Sequence, residues 1–369
     1  MKKIVHMTSV HLRYDTRIFV KMCSSLAKAG YDVSLIVADN KGYEEKNGVK
    51  IFDVGKPAGR LQRMLNTSAL VYKRALQLDA DVYHLHDPEL LPYAYLLKLK
   101  GKKVIFDSHE DVPRDLFSKT YLPRWVLFWL SMIVESLEKV ILKSLLVVIA
   151  ATPHIKEILV KYNKNTFNIN NFPIINELYI SQNEFYHCKY FCYVGDITTA
   201  RGLIEVFEAL QHVKNDTKLC LAGNFKDISI DKIKDASINN KIEYVGYVSR
   251  EGIKNIFKQS IAGLVTFLPL PNHIDAQPNK MFEYMSAGLP VIASNFPLWK
   301  EIIEGNKCGI CVDPMKPEEI AKAIDYLYEH PEEARQMGQN GQKAVYEKYN
   351  WNIEEKKLLN VYEKIMNKG

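Results

Sequence analysis

Lys280 and Glu283 stand three residues apart in the segment Pro278-Asn279-Lys280-Met281-Phe282-Glu283-Tyr284-Met285-Ser286-Ala287-Gly288. Residues at that spacing share one face of a helix. Pro278 suits a helix start, where its missing N–H costs nothing, and Gly288 suits the end. An apolar strand-like run follows, so both charges belong to the first turn of a short helix at a sheet edge. Helix N-termini in such places bind phosphates through free N–H groups and the helix dipole. A lysine there adds a point charge for a diphosphate, and a carboxylate can accept two hydrogen bonds from a ribose diol. On an ordinary helix the same pair would be a solvated surface contact.

A second constellation is Tyr193-Val194-Gly195-Asp196-Ile197-Thr198-Thr199-Ala200-Arg201-Gly202-Leu203. It reads as a strand, a turn at Gly195 and a helix start. Such a loop fits beneath a diphosphate, with Arg201 able to grip oxygens bidentately. Three further loops follow apolar strands in the first half, where open α/β sheets place ligands. One holds His11, Asp15 and Arg17, although Asp15 and Thr16 also suit a helix N-cap. One holds His86 and Asp87. One holds His109 and Glu110, with Asp107 and Asp111 nearby. Three acids around one histidine exceed what turn chemistry needs.

These side chains must be positioned by strands and helices, and the hydrophobic period shows which. Short β-rich runs at Lys3–Thr8, Val33–Ala38, Val82–Leu85, Lys103–Phe106 and Leu145–Ala150 alternate with helical runs near 16–29, 62–78, 88–99 and 121–143. A second series has strands at Tyr190–Val194, Lys218–Leu221, Ile242–Val245, Gly263–Phe267, Val291–Ala293 and Ile310–Val312. Its helices are expected at Leu203–Val213, Met281–Ala287, 316–328 and 331–347, with a last one near 351–366. Strand–helix alternation implies parallel sheets covered on both faces. The chain is therefore expected to be α/β, with doubly wound domains over 1–170 and 171–350 joined near the asparagine-rich stretch 168–176.

Composition narrows the function classes. The chain has 369 residues, 47% hydrophobic and 25% charged, which is globular and large enough for two domains. A net charge of +6 fits an anionic ligand or membrane face, and no basic block with interleaved aromatics argues for nucleic acid. The N-terminus lacks the apolar core of a signal peptide, and Trp125–Val134 is too short to span a bilayer. A cytoplasmic protein is expected, peripheral to the inner membrane face at most. Trp125, Phe128, Trp129 and Met132 recur at helical spacing, which fits a core helix; the alternative is an interfacial patch over 121–143. Cys308 and Cys311 have zinc-like spacing, but Cys311 lies in an apolar run, so buried small hydrophobes are expected.

The segment around Glu283 resembles the signature of retaining glycosyltransferases of family 4, whose C-terminal domain carries an E-x7-E motif. Glu283 matches the second acid. The first position is Asp275, a departure that keeps the charge and shortens the reach. The resemblance implies the GT-B fold: two Rossmann-like domains facing across a cleft, the final helix (351–369) packing back on the first. It implies a nucleotide-diphosphate sugar as donor, held by Gly195, Arg201, Lys280 and Glu283. It implies a glycan or lipid-linked acceptor bound by the first domain, near His11, Asp15, Arg17, His86, Asp87 and Glu110. His109, Asp275 and Arg201 would act on the reacting sugar. The family pairs two basic residues five apart on the diphosphate. Arg201 is the second, Asp196 replaces the first, and Lys280 is expected to compensate in part. GT-B enzymes generally use protein cations and dipoles in place of a metal, so no cofactor is expected, and surface polysaccharide synthesis is the expected context. A nucleotide-sugar epimerase or a non-catalytic GT-B scaffold are the alternatives.

Overall fold

The computed structural model describes residues 1–115, 123–185, 188–231 and 239–367. These divide into two compact units: residues 1–171 with 353–369, and residues 172–352.

The N-terminal unit is built on eight strands: β1 (Lys3–Met7), β2 (Asp32–Val37), β3 (Glu44–Lys46), β4 (Val49–Asp53), β5 (Val82–Leu85), β6 (Lys103–Ser108), β7 (Val147–Ala150) and β8 (Thr166–Asn168). Their order is β3-β4-β2-β1-β5-β6-β7-β8, parallel except for the β3–β4 pair. The central strands are buried apolar runs, as a sheet covered on both faces requires. The helices include α1 (π geometry over Thr16–Cys23, α over Ser24–Lys28), α2 (Ser68–Leu78), α3 (Leu91–Leu99), α4 (Val112–Asp115), α5 (Arg124–Ser144) and α6 (Pro153–Leu159). Periodicity located β1, β2, β5, β6 and β7 and overlooked β3, β4 and β8. The β3–β4 hairpin turns at Asn47 and Gly48, both at positive φ, and the Asn-Gly pair is itself a hairpin signal. β3 reads Glu-Glu-Lys, so no apolar alternation marks it.

The C-terminal unit holds β9 (Tyr190–Val194), β10 (Lys218–Ala222), β11 (Ile242–Gly246), β12 (Ser260–Val265), β13 (Val291–Ser294) and β14 (Gly309–Val312). The order is β11-β10-β9-β12-β13-β14, all parallel. Along β9, Tyr190 and Cys192 enter one core cluster while Phe191 and Tyr193 enter the other, the two-residue period of a strand with two buried faces. Its helices include α7 (Leu203–His212), α8 (Arg250–Lys258), α9 (Pro271–Ile274), α10 (Asn279–Ala287), α11 (Pro297–Ile303), α12 (Pro317–Glu329) and α13 (Pro331–Glu347).

The last helix, α14 (Trp351–Asn367), belongs from Ile353 onward to the N-terminal unit. There it buries Leu358, Tyr362 and Ile365, and Glu354 accepts from the Asn170 backbone N–H at 2.9 Å.

One expectation is overturned by the packing of α5. Its buried face is Leu127, Ser131, Glu138, Ile141 and Leu142, whereas Trp125, Phe128, Trp129 and Met132 are exposed. The aromatic spacing belongs to the outward face, so it does not mark a core helix. Tyr121 and Leu122 lie outside the described residues.

Candidate functional site

In the C-terminal unit the loop after β9 is shaped by two glycines. Gly195 sits at φ +130°, and a Cβ there would lie 2.9 Å from Lys280 Nζ and 3.5 Å from an Arg201 Nη. Both cations therefore close over the bare Cα of Gly195. Gly202, at φ +73°, starts α7; a Cβ on it would collide with the Thr266 carbonyl at 1.9 Å. That close approach locks the loop to the end of β12, and Ala200 O accepts from Leu268 N at 3.0 Å. Thr198 caps the turn by accepting from the Arg201 N–H.

Lys280 is in the first turn of α10, whose N-cap residue Pro278 offers no side-chain cap. Its stem is partly accessible, but Nζ is sealed from solvent and has no hydrogen-bond partner. The ammonium lies 3.8 Å from the centre of the Tyr193 ring, a cation–π contact. Burial and the neighbouring Arg201 push its pKa well down, opposed by Glu283. Thr266 Oγ1 and Gln277 Oε1, near the same loops, are also buried and unpartnered. Buried polar groups normally have partners; of these open atoms Lys280 Nζ and Thr266 Oγ1 can donate to an anion, whereas Gln277 Oε1 can only accept.

Glu283, one turn along α10, is half-buried and accepts from Arg250 Nη1 at 2.8 Å; Arg250 is held in turn by Glu177 at 3.0 Å. Asp275 is the C-cap residue of α9, partly buried, on the loop leading to α10. Asp196 contributes its backbone carbonyl, which accepts from Arg201 Nη1 at 3.1 Å and from Tyr193 OH at 2.7 Å. Lys280 Nζ lies beside Arg201 Nη1 over Gly195, next to Asp196 in sequence.

The N-terminal unit assembles a second cluster at the C-terminal ends of β1, β5 and β6. Its centre is Asp107, fully buried. Arg17 binds it bidentately at 2.9 and 2.7 Å and also donates to the Ile169 carbonyl. His109 Nε2 and His86 Nδ1 donate to Asp107 Oδ2 at 2.9 and 3.2 Å. Burial alone would raise the Asp107 pKa, but Arg17 and His109 hold it well below the carboxylate range.

Because Asp107 is an acceptor only, one tautomer follows for each histidine behind it. His86 donates through Nδ1, so its Nε2 accepts from His6 Nδ1 at 2.9 Å. His6 Nε2 is then an acceptor, meeting Tyr362 OH at 3.3 Å, and the Tyr362 oxygen accepts from His84 Nδ1 at 2.7 Å. The chain of bonds ends at His84 Nε2, a buried acceptor with no partner. Burial lowers the pKa of His6, His84 and His86, keeping all three neutral.

Two trios here, His6/His84/His86 and His86/Asp107/His109, are compact enough to raise the question of a metal. The rings of His6 and His84 stack on that of His86 at interplanar angles of 17° and 22°, and His6 is hydrogen-bonded to His86. Asp107 is already occupied by a guanidinium. The arrangement reads as a hydrogen-bond network.

Above it, His11 lies 3.4 Å from both Asp15 and Asp87, and its ring centre is 5.0 Å from that of His109. Burial would lower the His11 pKa, but Asp15 and Asp87 raise it overall. Asp15 caps α1 through the Arg17 and Ile18 N–H groups, and its own pKa falls to about 2. Asp87 accepts from Thr8 Oγ1, Ser9 N and Ser9 Oγ. Of the residues expected to line the site, His11, Asp15 and His109 are partly accessible and Glu110 is exposed. Arg17, His86 and Asp87, also expected there, are buried. They sit at strand ends and a helix start that point into the sheet layer.

Two family profiles cover most of the chain: Glycosyltransferase Family 4 over residues 16–168 and Glycosyl transferases group 1 over 179–344. The chain belongs to the group 1 glycosyltransferases. An uncharacterized glycosyltransferase of Methanocaldococcus jannaschii is 28% identical over 178 residues, 47% of this chain and 44% of that protein. The match thus spans less than half of the relative's length. The sucrose-phosphate synthase of Thermosynechococcus elongatus has the same fold, with a TM-score of 0.80 over all of both chains at 15% identity. Anabaena Alr3699/HepE, solved in complex with UDP-glucose, gives a TM-score of 0.74 at 13% identity, covering 99% of this chain and 100% of that one. The fold is GT-B, with two Rossmann-like units.

Several residues of this group 1 glycosyltransferase escaped the sequence reading. His6, His84 and Tyr362 complete the buried network, and Arg250 holds Glu283. Histidines 84 and 86, both on one face at a strand end, were the available signal. Nothing in the sequence distinguished Arg250 from other helix-start basic residues.

Proposed function

We propose that the chain is a retaining glycosyltransferase that takes a sugar from a nucleotide-diphosphate donor to a glycan or lipid-linked acceptor, in surface polysaccharide synthesis. The observation that carries this reading is the Lys280 ammonium: sealed from water, unpartnered, and set with Arg201 over the bare Cα of Gly195. A buried cation with no hydrogen-bond partner is costly, and a diphosphate supplies one. The UDP-glucose bound by the Anabaena neighbour supports a donor of this class.

Arg201 and Lys280 stabilise the diphosphate as negative charge grows on it during C–O cleavage, the role that a metal takes elsewhere. Glu283, steadied by Arg250, accepts from the ribose hydroxyls. With retention, the departing phosphate oxygen takes the acceptor's proton on the face from which it leaves. Asp275 and His109 are the residues that we assign to the reacting sugar, and Asp107 fixes the ring of His109.

The test is thermal unfolding with UDP-, GDP-, ADP- and dTDP-sugars. A donor at a hundred times its dissociation constant adds about 2.7 kcal/mol. We expect this gain with one nucleotide class and its loss in Glu283→Ala. Arg201→Ala should lower turnover by about a hundredfold or more, the scale of losing one charge-stabilising donor. Stabilisation by no donor, or normal turnover in Arg201→Ala, rejects the reading.

A further inference from the structure

Helix α5 is apolar on its exposed face as well as on most of its buried one. Its inward face includes Ser131, which donates to the Pro113 carbonyl at 2.8 Å, and the buried Glu138. Its outward face carries Trp125 (70% exposed), Phe128, Trp129 (59%), Ile133, Leu137 and Val140 (65%). From Trp125 to Val140 this apolar stripe runs about 22 Å at the rise of an α-helix. An exposed apolar face of that length, with two tryptophans, marks an interaction surface.

The charges on the helix identify what covers it. Both acids are withdrawn: Glu138 is buried, with its pKa pushed up to about 7 by burial and then Asp111, and Glu135 accepts from Tyr162 OH at 2.7 Å. The exposed charges are Arg124, Lys139 and Lys143, all positive. A stripe of tryptophan, phenylalanine and aliphatic residues flanked only by cations matches an anionic lipid surface, where indole rings sit at headgroup level. No helix among the described residues is long and apolar enough to cross a membrane, so α5 would lie along it.

We propose that the N-terminal unit docks on an anionic bilayer through the outward face of α5. The helix ends three residues before β7 begins, so it runs back from the C-terminal edge of the sheet. Its tryptophan-bearing first turns therefore lie toward the edge that carries His109 and His11. Leu12, 78% exposed in the loop after β1, is on that edge too. Docking does not depend on the transferase reading.

The full chain is mixed with phosphatidylcholine vesicles with and without phosphatidylglycerol, sedimented, and followed by tryptophan emission. Trp299 and Trp351 are buried in the C-terminal unit, so a blue shift reports Trp125 and Trp129. We expect sedimentation and a blue shift with phosphatidylglycerol, both weakened by salt. The exposed-site variant W125S/F128S/W129S should keep its melting temperature and any donor-induced gain, and lose about tenfold or more in partitioning. The variant R124Q/K139Q/K143Q should lose about fivefold in preference for the anionic vesicles per residue changed. Failure to bind phosphatidylglycerol vesicles overturns the proposal. So does a solution dimer that W125S/F128S/W129S dissociates, which would give the face to a second copy of the chain. Equal, salt-independent binding to both vesicle types overturns the anionic partner.

Discussion

At the scale of single residues, Lys280 is a group whose cost to the empty protein should be measurable. Its ammonium has given up water for an aromatic face beside Arg201, with Glu283 and Asp196 acting on it only through space. Methionine matches its length without the charge. We expect Lys280→Met to unfold with a free energy higher by roughly 1 kcal/mol or more, since replacing a poorly compensated buried charge with an apolar side chain stabilises on that scale. The same variant should lose the stabilisation that a nucleotide sugar gives the parent chain. Urea unfolding with and without donor measures both. A less stable variant that keeps its donor response would mean that the ammonium is satisfied by the protein itself. Opposite signs in the two measurements would mark a site held ready at the expense of stability.

At the scale of elements, α14 is tied to the sheet by a polar bond as well as by apolar packing. Tyr362 links His84 on β5 to His6 on β1. Tyr362→Phe keeps the ring and removes the oxygen, leaving His84 Nδ1–H and His6 Nε2 buried without partners. The expected loss is about 1–3 kcal/mol in urea unfolding, the cost of unsatisfied buried groups. A loss under a few tenths would show that water replaces the hydroxyl. This bond also shows where reading the sequence stops. The strands that carry the site, β1, β5, β6 and β9, were legible because a doubly covered sheet writes itself as apolar runs bounded by turns. The α10 start was legible because Pro278 and Gly288 punctuate it. The partners of those elements were not. Tyr362 pairs with a histidine 278 residues away, and Arg250 with a carboxylate 33 residues away, at distances where no local period carries information. For α5 the pattern was visible and its direction was not, because a stripe of tryptophan, phenylalanine and methionine looks the same whether it faces a core or a bilayer.

At the scale of the whole molecule, the two units should answer acid differently. Below about pH 6.5 the unfolded chain protonates its histidines, while burial keeps His6, His84 and His86 neutral in the folded state. Each such group withdraws stability as pH falls. His11 has the opposite sign, because its raised folded pKa means that it is charged before the unfolded chain catches up; below about pH 6.5 its contribution is constant. Glu138, raised to about 7, takes up a proton early and adds stability as pH falls toward the ordinary carboxyl range. Three groups that exclude a proton outnumber the one that gains it early, so the N-terminal unit loses stability as pH falls below about 6.5. In the C-terminal unit burial lowers the pKa of His273. Acidification toward about pH 5 should therefore raise hydrogen exchange in β1, β5 and β6 before it does so in β9, β12 and β13. His84→Leu removes one excluded proton and should flatten the dependence by about 1.4 kcal/mol per pH unit. If both sheets open together, with a slope that His84→Leu leaves unchanged, the histidines are not held neutral, and the single-tautomer network anchored on Asp107 is wrong.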